Sequence, residues 1–198
     1  KTLATLPPGE RNALNAAHLD FNDDLRASGH FLMAEALELP ATGAIVRLRE
    51  GRPVVTDLLT EIPLRLFPVG RLDLDTEGAL LMTNDGELGN AILHPRFEVK
   101  KTYQALVVGS PSPDKLNRLE QGIELDGFRT RPAAIRVLKR HKDQTLIEIV
   151  IHEGKKRQVR KMFQALNHRV LHLKRTAYGQ LKLGTLPLGK YRVLTPDD

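Results

Sequence analysis

The sequence predicts an α+β fold, and three observations carry that expectation. Residues 100–108 alternate apolar and polar, the signature of a half-buried strand, and runs rich in β-formers recur, as at residues 145–151. Short helical patterns lie scattered between them, without the regular strand–helix succession of a parallel α/β sheet. The chain of 198 residues is 41% hydrophobic and 27% charged, enough to bury a core as one or two domains.

Each element has its own local reason. Pro7-Pro8 opens a helical pattern in which Leu14, Ala17, Phe21 and Leu25 share a face, and Ser28-Gly29 closes it. Residues 30–37 fit either strand or helix. Residues 44–49 read as a strand, Glu50-Gly51 as a turn and residues 53–56 as the returning strand. Asp57-Leu58-Leu59 starts a helical turn that Pro63 ends. Phe67 and Val69 mark a strand, residues 79–82 another, and Asn84-Asp85-Gly86 a turn. Residues 87–93 form a short helix stopped by His94-Pro95. Ser112 caps a helix with Pro113 at its first position, running to Gln121-Gly122. Residues 130–138 and 145–151 are rich in β-formers. After Glu153-Gly154 comes a helix with Val159, Met162, Phe163 and Leu166 on one face and Lys155, Lys156, Arg160 and Lys161 on the other. Residues 170–173 and 191–194 close the chain as strands. There is no internal repeat.

Composition removes several classes of function. The chain has no cysteine, hence no disulfide framework and no thiolate chemistry. No apolar run approaches the ~20 residues of a membrane span, and no signal peptide opens the sequence, so a cytoplasmic protein without membrane association is expected. Phosphate-loop and dinucleotide glycine motifs are absent. His168 and His172 are four apart but have no acidic third ligand nearby, so no metal is expected.

The net charge of +6 is unevenly spread. Residues 1–70 carry 7 Lys/Arg and 9 Asp/Glu, whereas residues 139–175 carry 11 and 3. A basic excess held in one segment attracts a polyanion, with nucleic acid the first candidate. Within it, EGKKRQVRKM (residues 153–162) offers donors near a helix start, a place phosphates favour. Tyr103 follows Lys100-Lys101-Thr102 on a strand, where an aromatic face beside cations suits stacking on an extruded base. A half-buried core tyrosine is the plainer alternative.

The stretch FPVGRLDLDTEGALLMTNDG (residues 67–86) places Arg71 and Asp73 two apart, on one face if the backbone is extended. Asp73 is either half of a structural Arg–Asp pair or a carboxylate nucleophile toward an electrophilic sugar carbon, kept ionised by a nearby cation. Asp75 and the residues after it read as turn chemistry rather than as the second carboxylate of a glycosidase.

Taken together, VGRLDLDTEGALLMTNDG, HPRFEVKKTYQALVVG, TRPAAIRVL and HEGKKRQVRKMFQALNHRVLHLKRTAYGQLKLGTLPLGKYRVLT, in that order, resemble the ribosomal-RNA pseudouridine synthases of the small- and large-subunit types, over residues 56–195. The resemblance implies a mixed, mainly antiparallel catalytic sheet and an isomerase that converts uridine to pseudouridine in structured RNA, a ribosomal stem-loop above all, without cofactor or metal. It implies Asp73 as the catalytic aspartate, Arg71 as the arginine that displaces the target base, Tyr103 as the tyrosine stacking on it, Arg160 as the basic partner of the aspartate, and Leu173 at the uracil pocket. Arg71, Lys101, Lys155, Lys156, Arg157, Lys161, Lys174 and Arg175 are the expected RNA contacts.

The front of the chain departs from that pattern. It lacks the Lys-Pro strand expected before the GRLD motif, and it is net acidic. Residues 6–57 instead resemble the YCII-related proteins, small ferredoxin-like dimers. The expectation is therefore a chimera, with a YCII-like helix-and-hairpin segment at 1–56, a catalytic domain at 57–198 and a seam at 54–59. The foreign segment is expected to lend strands to the catalytic sheet and a homodimer edge. The alternative function is an RNA-binding or structural chimera without turnover.

Overall fold

The computed structural model describes residues 31–36, 48–49, 52–53, 55–59 and 61–195. The helical pattern expected at residues 7–29 lies outside them. Residues left open between strand and helix form strand β1 (Phe31–Ala36). The expected hairpin is present as β2 (Leu48–Arg49) and β3 (Arg52–Pro53). Its return is cut short by a 3₁₀ turn at Val55–Leu59.

From there the chain runs β4 (Phe67–Val69), β5 (Glu77–Thr83), α1 (Gly86–Leu93), a 3₁₀ turn (Pro95–Phe97) and β6 (Lys101–Val108). It continues through α2 (Pro113–Glu120), a small hairpin of β7 (Glu124–Leu125) and β8 (Phe128–Arg129), then β9 (Ala134–Arg140) and β10 (Gln144–Ile151). The last elements are α3 (Gln158–Gln164), β11 (Val170–Tyr178), β12 (Leu181–Lys182) and β13 (Tyr191–Leu194). Local chemistry explains the boundaries. The Asp85 carboxylate accepts from the amides of Glu87 and Leu88 and caps α1. Ser112 accepts from Lys115 and Pro113 opens α2, as the sequence predicts.

One mixed sheet organises the molecule, in the order β13-β1-β5-β11-β6-β10-β9. All these pairings are antiparallel except β5 with β11, which is parallel. That pair is short, Glu77 opposite Lys174 and Gly78 opposite Arg175, and β4 takes β5 over from Leu81 to Thr83. Gly78 permits the close approach. Its φ is +114°, and a Cβ there would lie 2.2 Å from the Arg175 carbonyl oxygen. Alternation on β6 and β10 sends Tyr103, Ala105, Val107, Ile147 and Ile149 into a core capped by Val159, Met162, Phe163 and Leu166 of the α3 region.

β1 bonds to β5 on one side and to β13 on the other. The segment before residue 56 thus contributes a strand to the sheet, as expected. That strand has no free edge, which removes the reason for expecting a dimer through it. Among the described residues no helix is long and apolar enough to cross a membrane.

Candidate active site

Strands β5, β11 and β6 bring the sequence-predicted groups together. Asp73 lies in the turn before β5, where the amide of Thr76 donates to the Asp73 carbonyl at 3.0 Å. Tyr103 and Arg175 stand opposite each other on β6 and β11. A cleft of about 420 Å³ opens here, with Arg71, Asp73, Lys101, Tyr103, Lys155, Lys156, Arg157, Leu173 and Arg175 among its lining residues. Among the described residues, the acids at its wall are Asp73 and Glu153, and Glu153 accepts from Gln158 Nε2 at 2.6 Å and from the Arg131 amide at 3.0 Å.

Two carboxylates two residues apart have opposite fates. Asp75 accepts from both Arg157 Nη groups, at 2.8 and 3.0 Å, and its Oδ2 is 3.4 Å from Arg160 Nε. The Arg157 bond holds the Asp75 carboxyl below the ordinary range, with the charges of Arg160 and Arg157 adding to it. Asp73 instead faces the cleft, and among the described residues no side chain makes an ion pair or hydrogen bond to its carboxylate. Neither the Arg71–Asp73 pair nor the Arg160–Asp73 pair is formed. The Asp73 charge is still felt at Arg157, whose pKa is raised first by Asp75 and further by Asp73.

The expected partner Arg160 is therefore corrected. Helical periodicity assigned it to the exposed face with the lysines, but it is buried. It donates to the carbonyls of Val170, at 3.2 Å, and of Asp75. It fastens α3 to the turn that carries Asp73. The helix-start phosphate site is corrected too. α3 has seven residues, and Lys155 and Lys156 precede it, exposed in the loop. Their attraction for phosphate rests on their own charges. The loop is closed by Gln158, whose Oε1 accepts from the Lys155 amide at 3.0 Å while its Nε2 binds Glu153. Glu153 and Gln158 are site-shaping residues that sequence reasoning missed, although their spacing in EGKKRQ could have marked them.

Lys161 and Lys174 lie off the cleft lining. Lys161 pairs with Asp126, and Lys174 approaches Glu77 at 4.0 Å. Arg175 is only 2% exposed, so it is no surface RNA contact. Its Nε donates to the Ala79 carbonyl at 2.7 Å. Its Nη1 reaches the Arg71 carbonyl at 3.3 Å and the Tyr103 hydroxyl at 3.5 Å, and its guanidinium lies 4.4 Å from the centre of the Tyr178 ring. Burial pushes the Tyr178 hydroxyl well above its usual pKa, and that hydroxyl donates to the Val69 carbonyl at 3.2 Å. Lys101 is buried as well, its Nζ donating to the Val99 carbonyl at 3.3 Å.

His168 binds the Val108 carbonyl and Lys115 Nζ, while His172 pairs with Glu77. Among the described residues no group of three His, Asp or Glu is placed to hold a metal.

Known proteins share this sequence and fold. A sequence model described as RNA pseudouridylate synthase matches residues 47–165. Ribosomal large subunit pseudouridine synthase B of Bacillus subtilis is 48% identical over 151 residues, 75% of this chain and 62% of that protein. An uncharacterized RNA pseudouridine synthase of Aquifex aeolicus is 48% identical over 148 residues, 75% of this chain and 59% of its own length. The chain thus spans about six-tenths of these relatives. A crystal structure of a pseudouridylate synthase superposes with a TM-score of 0.73 at 29% identity, covering 85% of this chain and 71% of that one. The YCII-like reading of residues 6–57 gains no support, since the family match begins inside that segment, at residue 47. The match covers more than half of the sequence, and the chain belongs to the RNA pseudouridylate synthase family.

Proposed function

We propose that the chain isomerises uridine to pseudouridine in structured RNA, with Asp73 as the essential carboxylate. The observation that carries this reading is the contrast between the two aspartates. Asp75 is occupied by arginines, whereas Asp73 faces a cation-lined cleft beside Tyr103 with its oxygens unengaged by described side chains. A relative named for the large ribosomal subunit supports ribosomal RNA as the substrate.

A base within a stem must leave the stack before its glycosidic bond is reached. Arg71 is exposed at the cleft mouth and fills the space the base vacates. Tyr103 takes the face of the extruded base, Leu173 packs against its edge, and Lys155 and Lys156 hold the backbone phosphates. An Asp73 oxygen then bonds to C1′ as the N1–C1′ bond breaks, with the electron pair leaving on N1. The base turns, C5 bonds to C1′, and the C1′–oxygen pair returns to the carboxylate. The C5 proton leaves and N1 takes a proton, so composition is unchanged. In this reading residues 57–198 form the catalytic unit and residues 1–56 complete its sheet through β1. A chain starting at residue 57 should lose its cooperative unfolding transition by circular dichroism.

Tritium release from 5-tritiated uridine in ribosomal RNA tests the assignment. The wild-type chain should release tritium, and Asp73→Asn should bind the RNA and release none. Release that survives the substitution removes Asp73 from the chemistry.

A further inference from the structure

The floor of the cleft holds two buried cations without a carboxylate. Lys101 is 7% exposed and Arg175 2%, and both line the cleft. Among the described residues neither makes an ion pair with an acid. They feel each other: burial lowers the pKa of Lys101, and the Arg175 charge lowers it further. The hydrogen bonds of Arg175 use Nε and Nη1, while its buried Nη2 has no partner among the described residues. That group carries two N–H donors. Lys101 binds one carbonyl through Nζ, which has three. Uncompensated buried charges are costly, and unsatisfied buried donors in a native fold call for an explanation.

The lining favours an acceptor that is flat and anionic. Ile151, Val159, Leu173 and Tyr178 give the cleft apolar walls, which strengthen any charge interaction inside. A phosphate meets the exposed Lys155 and Lys156 at the rim first. A pyrimidine lying along Tyr103 reaches the floor, because the Tyr103 hydroxyl is itself held by Arg175.

We infer that Lys101 and Arg175 form the site that stabilises the detached uracil anion. This rests on the isomerase reading above. When the N1–C1′ bond breaks, its electron pair leaves on N1 and spreads to the two carbonyl oxygens of the ring. The base is a monoanion for as long as it is detached, and the floor cations are donors fixed in place before that charge appears. The same charge holds the base in the cleft while it turns to present C5.

The test compares leaving groups. Large-subunit ribosomal RNA is transcribed with uridine or with 5-fluorouridine throughout, and the carbon-linked nucleoside, which from 5-fluorouridine keeps its fluorine on C5 and takes up water at C6, is followed by chromatography after digestion under single-turnover conditions. Fluorine at C5 stabilises the departing anion. Lys101→Gln and Arg175→Lys should slow conversion of uridine RNA by about 100-fold, the scale of one lost anion-stabilising donor. They should slow 5-fluorouridine RNA by less than about 10-fold and leave RNA Kd within about threefold. Equal losses on both RNAs, or a loss explained by Kd, overturn the inference. No conversion of either RNA by wild type fails the isomerase reading instead. Should a variant not fold, the wild-type chain decides. Inhibition by 5-nitrouracil, an anion at neutral pH, should exceed inhibition by neutral uracil at least about tenfold, and equal inhibition overturns the inference.

Discussion

The cluster beside the cleft and the floor of the cleft treat arginine in opposite ways. Beside the cleft, Arg157 and Arg160 share the Asp75 carboxylate, and Arg160 also takes two carbonyls. At the floor, Arg175 takes two carbonyls, a hydroxyl and an aromatic face but, among the described residues, no acid. Charge matched inside the fold is architecture, since it ties α3 to the turn before β5. Charge left unmatched inside the fold is available to a substrate. The aspartates follow the same division: Asp75 belongs to the arginine cluster beside the cleft, and Asp73 lines the cleft itself.

Substitutions at each side sharpen that division, from the largest expected effect downward. Asp73→Asn removes the attacking oxygen and should cut single-turnover conversion by about 10⁴-fold or more, with the thermal midpoint unchanged. Gly78→Ala breaks the floor through its backbone, because the new methyl meets the Arg175 carbonyl. It should cost about 3–5 kcal/mol in denaturant unfolding and abolish turnover as a consequence. Arg160→Met breaks the cluster beside the cleft. With Asp75 about half exposed, the loss should be about 1–2 kcal/mol, with a smaller fall in turnover than Arg175→Lys causes.

Lys155→Ala and Lys156→Ala touch neither side. Each should weaken binding to ribosomal RNA and lower the slope of log K against log salt by about 1. The smallest effect belongs to Asp75→Asn, and it depends on pH. The carboxyl of Asp75 is held below its ordinary 3.8 in the folded chain. Its contribution to stability is therefore complete above that value and is lost as pH falls through the lower folded one. Wild type and Asp75→Asn should differ in urea midpoint at pH 6 and converge toward pH 2.

Most of the scaffold was legible because its signals are local. Ser112-Pro113, Asp85 with Gly86, the alternation on β6 and the β-formers of β10 act within a few residues of themselves. Residues 30–37 were ambiguous because a strand bonded on both sides within a sheet takes its conformation from β5 and β13. At the site, residue types and order located Asp73, Tyr103, Arg71 and Leu173 in one cleft. Pairing was not legible. Helical spacing placed Arg160 beside lysines on an outer face, but a seven-residue helix has little outer face, and the long side chain turns under it to Asp75. Arg175 was indistinguishable in sequence from its neighbour Lys174. Only the register that sets Arg175 opposite Gly78 and Tyr103 sends it to the floor. The likeness of residues 6–57 to another family rested on pattern alone, and the family match begins inside that segment, at residue 47.

The division between the two aspartates can be measured directly. Wild type, Asp73→Asn and Asp75→Asn would be assayed side by side for tritium release from 5-tritiated ribosomal RNA, each with its RNA Kd and thermal midpoint. Release by wild type and by Asp75→Asn, with none from Asp73→Asn at unchanged Kd, is the predicted result. Release by Asp73→Asn, or equal loss in both variants, would contradict the assignment of chemistry to Asp73 rather than to the arginine-bound Asp75.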